Sequence, residues 1–223
     1  MFSIKTDYNK FNLSKVDNSK KTNEIKSKSL SIKSASNTEK KISKHHNVEY
    51  EIRFNQMDFI SKYFNKSTFA SDGLCIPLTM KWLSERRTNL ETQYFDSLSD
   101  KNTHEELAQL KIDVYLEHKK YGQNGVDFIT ADYIKFKTAK ITTVSQKESF
   151  PREDGLYAVT FWTPDKKTAH MIGIDINKEN KKCTLFDVNH GIKSSANRNA
   201  MEKNFIKSNK YRYNISDLWI QKF

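Results

Sequence analysis

Gly73-Leu74-Cys75-Ile76-Pro77-Leu78-Thr79-Met80-Lys81-Trp82-Leu83 sets a cysteine where a glycine step opens into an apolar helical pattern. Ile76, Met80 and Leu83 share a face, and Pro77 falls in the first turn, where its missing N–H costs nothing. The spacing predicts a helix over residues 75–87. First-turn N–H groups lack an intrahelical acceptor and carry positive partial charge, which favours thiolate over thiol. Cys75 is therefore a candidate nucleophile, partly activated by backbone alone.

Upstream of this stretch, apolar density rises at Tyr50. The spacing of Ile52, Phe54, Met57, Phe59, Ile60, Tyr63 and Phe64 predicts a helix from about 54 to 65, in a globular domain beginning near residue 47. Downstream, Thr103-His104-Glu105-Glu106 reads as a capping box, with a helix running to about Lys120, before Gly122 and Gly125.

After Gly155 the period changes to that of strands. Leu156 to Trp162 is dense in strand formers and is stopped by Thr163-Pro164-Asp165. His170, Ile172, Ile174 and Ile176 share one parity, and Asn177-Lys178-Glu179-Asn180 turns into Cys183-Thr184-Leu185-Phe186-Asp187. These read as adjacent antiparallel strands. A short helix over about 197–206 and a strand over about 218–222 complete the domain. Helices first and strands second is the α+β pattern, with a helical N-terminal half packed on an antiparallel sheet.

A cysteine nucleophile needs a base, a role imidazole fills near neutral pH, and a group that fixes the imidazole. In the predicted strand pair the start of the first strand faces the end of the second. His170 and Asp187 are thus expected to be cross-strand neighbours, with Cβ atoms about 4.5–5.5 Å apart if directly opposite. Cys75, His170 and Asp187 form a candidate nucleophile, base and orienter. Cys183 alternates with Leu185 and reads as core. The remaining histidines show no His-x-x-x-His or paired-cysteine spacing, so neither a metal nor another cofactor is expected.

The 223 residues carry a formal charge of +11. Residues 1–46 hold eleven lysines against Asp7, Asp17, Glu24 and Glu39, a balance of +7, with neither Gly nor Pro and few large apolar residues. Such a segment buries too little apolar surface to offset its chain entropy and reads as a disordered basic leader, followed by the domain over 47–223. Its charge suits an anionic membrane surface. No aromatic-and-basic reading surface follows the Lys pairs, so no nucleic-acid partner is expected. The first twenty residues lack the apolar region of a secretory signal, and two cysteines make no disulfide framework, which points to a compartment where thiols stay reduced.

Three blocks together resemble the YopT-like cysteine proteases, papain-like bacterial virulence effectors: Gly73-x-Cys75 with Trp82-Leu83, Ala169-His170 with Gly173, and Phe186-Asp187-x-Asn189-x-Gly191. The resemblance spans roughly residues 70–195 and implies that Cys75 is the nucleophile, His170 the general base and acid, and Asp187 the orienter. The family usually has Pro after the aspartate, where this chain has Val188, and often an aromatic residue where it has His190. An oxyanion-hole side chain is not identifiable upstream of the cysteine; Asn65, Ser67, Ser71 and Asp72 are candidates beside the Cys75 N–H. The resemblance further implies delivery from a bacterium into a host cell, with the leader as delivery signal. The expected substrates are host proteins, either prenylated Rho-type GTPases (small GTPases) or kinases. No glycine precedes Gly73, so a self-cleaved, N-myristoylated form is not expected. A transglutaminase-like acyltransferase or glutamine deamidase uses the same three residue types in this order, and a non-catalytic binding module would leave Cys75 incidental.

Overall fold

In the computed structural model, which describes residues 48–64, 73–88, 93–134, 150–163, 168–209, 213 and 218–223, six strands form one antiparallel sheet. The elements run β1 (Glu49–Ile52), α1 (Gln56–Tyr63), α2 (Cys75–Arg87), α3 (Tyr94–Ser97), α4 (Lys101–Tyr121), α5 (Gln123–Tyr133), β2 (Gly155–Trp162), β3 (Ala169–Asn177), β4 (Lys182–Asp187), β5 (Gly191–Ser195), α6 (Arg198–Asn209) and β6 (Leu218–Lys222). The sheet order is β1-β5-β4-β3-β2-β6. This is the expected α+β architecture. The basic leader assigned to residues 1–46 lies outside the described residues.

The sheet separates two apolar layers. Ala158, Met171 and Phe186 face the helical layer with Leu78, Trp82, Leu107 and Val126. Val159, Phe161, Ile172, Ile174 and Leu185 face the other way, against Met201 and Phe205 of α6. Strand parity accounts for this division, because alternate side chains of β2, β3 and β4 point to opposite faces.

Helix α2 lies between β3 and β4 on one side and α4 and α5 on the other. Leu78, Met80, Trp82 and Leu83 are all fully buried, as is Thr79. The single apolar face expected from Ile76, Met80 and Leu83 therefore understates this helix, which is enclosed all round, as a helix at the centre of a domain is. Lys81 is tolerated there because its Nζ lies 2.7 Å from Glu85 Oε1 and 3.7 Å from Glu106 Oε2.

The contact between α2 and β3 runs in matched steps. Thr79 Oγ1 donates to the Met171 carbonyl at 3.1 Å, and Arg86 Nε reaches Asp175 Oδ2 at 2.8 Å. Between them Trp82 lies over Gly173, where an added Cβ would sit 2.6 Å from the indole ring. Trp82 in turn stacks on Phe186, ring centroids 5.3 Å apart. Glycine at 173 is thus a packing requirement: any side chain would push the helix off the strand.

Several elements differ from the sequence expectations. Helix α4 starts at Lys101 because Asp100 supplies the cap, its carboxylate accepting from the Asn102 N–H at 3.3 Å; Thr103 is buried within the first turn and forms no capping box. Gly125 does not end a helical region but lies inside α5, an element not anticipated. Its missing Cβ, which would lie 2.2 Å from the Glu117 carbonyl oxygen, lets α5 fold back tightly on α4 after Gly122. Strand β1, read as the approach to a helix, pairs with β5 and precedes every described helix. Strand β5 was also unanticipated: Gly191-Ile192-Lys193-Ser194-Ser195 has one large apolar residue yet is buried throughout. Lys193 survives burial by donating to Asn204 Oδ1 at 3.0 Å and lying over the Tyr50 ring.

Candidate active site

Cys75 is the first residue of α2. Gly73 turns the chain into the helix with φ of 91°, and the cap residue, Leu74, has no side-chain acceptor for the first-turn N–H groups. Pro77 lacks an N–H, so the first-turn donors nearest the sulfur are those of Cys75 and Ile76. Continuing the matched steps of α2 on β3 back by one turn from Thr79 brings Cys75 to Ala169, whose carbonyl oxygen lies 3.7 Å from Sγ. The sulfur is thereby delivered to the start of β3, one residue from His170.

The imidazole Nε2 of His170 lies 3.0 Å from Asp187 Oδ1. The two residues are not directly opposite. Gly173 pairs with Phe186, so the ladder continues to set Ile172 against Asp187 and leaves His170 as its diagonal neighbour. A diagonal Cβ separation of about 7–8 Å is still bridged by an imidazole meeting a carboxylate. Both residues carry the parity that faces α6. The ring of His170 stacks on Tyr213 at 5.3 Å and 13° and meets the edge of Phe161 at 5.2 Å. His170 is 2% exposed and Asp187 3%, whereas Cys75 keeps 9% of its surface.

With Nε2 occupied by Asp187, Nδ1 is the nitrogen left for the thiol, and sulfur and imidazole lie near enough to shift each other's pKa. The loop after Asp187 is braced from within, since the Asn189 N–H donates to Asp187 Oδ1 at 2.9 Å. Gly191 closes that loop with φ of 93° and backs onto the Ile52 carbonyl, where an added Cβ would lie 2.1 Å away. Val188, standing where the resembling family usually has proline, is fully buried and accepts the Gln56 N–H through its carbonyl at 2.7 Å.

The three titrating groups are coupled. Burial pushes the Cys75 thiol up, but the hydrogen bond and charge of His170, helped by the Met171 and Ile76 N–H groups, bring its pKa below the usual value. Burial opposes charge on His170, yet the Asp187 carboxylate, together with Cys75, outweighs it and holds the imidazolium up to about 10. Asp187 is pushed up by burial and pulled down further by His170, to about 2. The arrangement thus shifts Cys75 towards thiolate and His170 towards imidazolium. Cys183, buried among Ile176 and Leu185, is pushed up to about 12 by desolvation.

A pH-dependent difference follows. Iodoacetamide is expected to alkylate Cys75 at pH 6–7, well below the free-cysteine midpoint of about 8.5, while Cys183 stays unlabelled until the protein unfolds. Peptide mass spectrometry of the labelled chain reads both rates. Equal, slow labelling of the two cysteines would contradict an activated thiol.

The oxyanion candidates Asn65, Ser67, Ser71 and Asp72 lie outside the described residues. Among the described residues no group of three or more metal-ligating side chains is gathered together. Sequence reasoning overlooked two contributors. Tyr213, which supports the imidazole face, carries no local signal. Gln56, only 7% exposed, stands among Arg53, Asn55 and Asp58 in the sequence and so carries no local signal either.

No protein-family model matches the chain, and no curated protein matches it. Among solved structures it is similar to the Pseudomonas avirulence protein AvrPphB, at 12% identity and a TM-score of 0.50, over 70% of this chain and 95% of that one. The PatoxP cysteine protease-like domain of the Photorhabdus asymbiotica toxin PaTox matches at 12% identity and a TM-score of 0.48, over 83% of this chain and 57% of that one. The YopT domain of the Pasteurella multocida PfhB2 toxin matches at 13% identity and a TM-score of 0.22, over 75% and 90%. At such identities the first of these establishes fold and not chemistry. The fold is that of papain-like cysteine proteases, as the three sequence blocks implied.

Proposed function

We propose that this chain is a cysteine endopeptidase with Cys75 as nucleophile, His170 as general base and acid, and Asp187 as orienter. The observation that carries the reading is one juxtaposition: the Cys75 sulfur at the N-terminus of a buried helix, 3.7 Å from the carbonyl of the residue before His170, and the His170 Nε2 3.0 Å from Asp187 Oδ1. The Cys75 thiolate attacks the scissile carbonyl, and electrons shift onto the carbonyl oxygen, which the Cys75 N–H is placed to stabilise. Collapse of that intermediate breaks the C–N bond as the His170 imidazolium protonates the departing amine. Neutral His170 then takes a proton from water, hydroxide adds to the thioester, and the acid leaves with the thiolate restored. Asp187 stays ionised throughout and stabilises the imidazolium.

The resemblance of the three sequence blocks supports a host-protein substrate, a prenylated Rho-type GTPase or a kinase, and delivery from a bacterium. The basic leader fits an anionic membrane surface near such a substrate, a contact that salt would weaken. Incubation of the full chain with a host-cell lysate, followed by N-terminal proteomics, tests the reaction class. New N-termini support proteolysis. Intact proteins carrying a gain of about one mass unit at Gln, the mark of amide replaced by acid, would instead assign a deamidase built on the same three residues.

A further inference from the structure

Gln56 is the first residue of α1 and is almost fully buried, and its backbone N–H and both polar atoms of its carboxamide are engaged across the site. Its backbone N–H donates to the Val188 carbonyl at 2.7 Å. Its Oε1 accepts the Leu74 N–H at 2.8 Å, and its Nε2 donates to Asn189 Oδ1 at 2.7 Å. The amide orientation is forced, because a backbone N–H can only donate. Leu74 immediately precedes Cys75 at the cap of α2, where its N–H has no acceptor within the helix. Asn189, at the other end, donates its own N–H to the same Asp187 oxygen that meets His170.

We propose that Gln56 is a positioning residue that sets the nucleophile-bearing turn against the aspartate-bearing loop. One carboxamide joins two segments that come from opposite ends of the domain, and its two ends serve the two outer members of the catalytic group. Only a side chain of this reach with an acceptor for the Leu74 N–H and a second polar atom for the Asn189 amide does both. Lysine offers no acceptor to Leu74, and leucine or methionine would leave a buried N–H unpaired. The site supports the same choice: Gly73 has no Cβ, and one built there would stand 3.1 Å from Oε1, while Lys111 Nζ holds the Gly73 carbonyl from the other side at 2.8 Å. The turn before Cys75 is thus gripped through both Gly73 and Leu74.

This inference rests on the reading of Cys75 as a nucleophile, and its test separates the two. The second-order rate of Cys75 alkylation by iodoacetamide is measured against pH for the full-length wild type, Gln56→Leu, Gln56→Glu and Asn189→Ala, with thermal unfolding followed in parallel. Fast wild-type labelling below pH 8 is the premise; its absence would refute the nucleophile itself. Gln56→Leu is expected to slow labelling at pH 7 by about tenfold or more and to move the midpoint up towards the free-thiol value of about 8.5, because the sulfur shifts relative to His170. Gln56→Glu is expected to recover much of the rate, one oxygen accepting from Leu74 and the other from Asn189 once that amide turns over. Asn189→Ala, which leaves the start of α1 untouched, should move the midpoint the same way by less, and it serves if Gln56→Leu does not fold. A folded Gln56→Leu with wild-type rate and midpoint would overturn the proposal. So would equal losses in the Leu and Glu variants, or an Asn189→Ala variant indistinguishable from wild type.

Discussion

Cys75→Ala is expected to abolish new N-termini in a host lysate while leaving the protein folded. Where wild-type turnover on an identified substrate is measurable, the loss should approach the order of 10⁶-fold in kcat typical of removing a nucleophile, with binding and backbone donors leaving a small residue. The fold is expected to survive because only one sulfur is removed, from the end of α2, where 9% of the residue surface is already exposed. The large side chains that hold the helix, Leu78, Trp82 and Leu83, are untouched. Cys75→Ser should be nearly as inactive, since a hydroxyl is a poor nucleophile without a much stronger base. Retained cleavage in either variant, by the same proteomic readout, would remove Cys75 from the mechanism.

Asp187→Ala should cost both stability and reactivity. It leaves His170, 2% exposed, without the carboxylate that compensates its burial. Breaking a buried pair by deleting one partner costs about 3–5 kcal/mol, or roughly 6–20 °C in Tm for a domain of this size. The pH dependence has a definite sign. His170 is raised from 6.5 to about 10, so its contribution is full below pH 6.5 and is lost as pH rises through about 10. Asp187 is lowered from 3.8 to about 2, so its contribution is present above pH 3.8 and is lost as pH falls through about 2. The stability gap between wild type and Asp187→Ala should therefore be widest between about pH 4 and 6.5, shrink as pH rises from 6.5 towards 10, and be lost above that. Asp187→Asn, which keeps an acceptor for Nε2–H, should recover much of the stability yet still lose on the order of 10²–10⁴-fold in turnover, because it cannot stabilise the imidazolium. Denaturant unfolding across pH, beside turnover, separates the two effects. A gap independent of pH would mean that Asp187 does not hold the proton on His170.

The parts legible in the sequence were those whose signal is local. Helix α2, with Pro77 in its first turn and Cys75 at its head, follows from composition and period. Strands β2, β3, β4 and β6 are dense in β-branched and aromatic residues, and the turn after Asn177 makes β3 and β4 neighbours. The hidden elements carry their reason in partners distant along the chain. Strand β5 is polar because Asn204 and Tyr50 satisfy its lysine, and β1 is four residues whose only strand partner among the described residues is β5. Asp100, three residues before Thr103, captured the helix start through a carboxylate that no spacing rule ranks above the capping box.

Cys75, His170 and Asp187 were thus named by sequence alone, through helix-start chemistry and the strand-turn-strand pattern that brings His170 near Asp187. Sequence left the register open: whether His170 stood opposite Asp187 or one step along the diagonal depended on the ladder that ends at Gly173 and Phe186. Bringing the thiol to the imidazole was decided in three dimensions. Cys75, Thr79, Trp82 and Arg86 lie along one face of α2, and Ala169, Met171, Gly173 and Asp175 along one face of β3, so matching the two rows sets Cys75 at the head of the strand. No local rule encodes that match, because it depends on Gly173 admitting Trp82 and on Gln56 spanning from Leu74 to Asn189. Local periodicity chooses an element, but the position of one element on another is chosen by the side chains that fit between them.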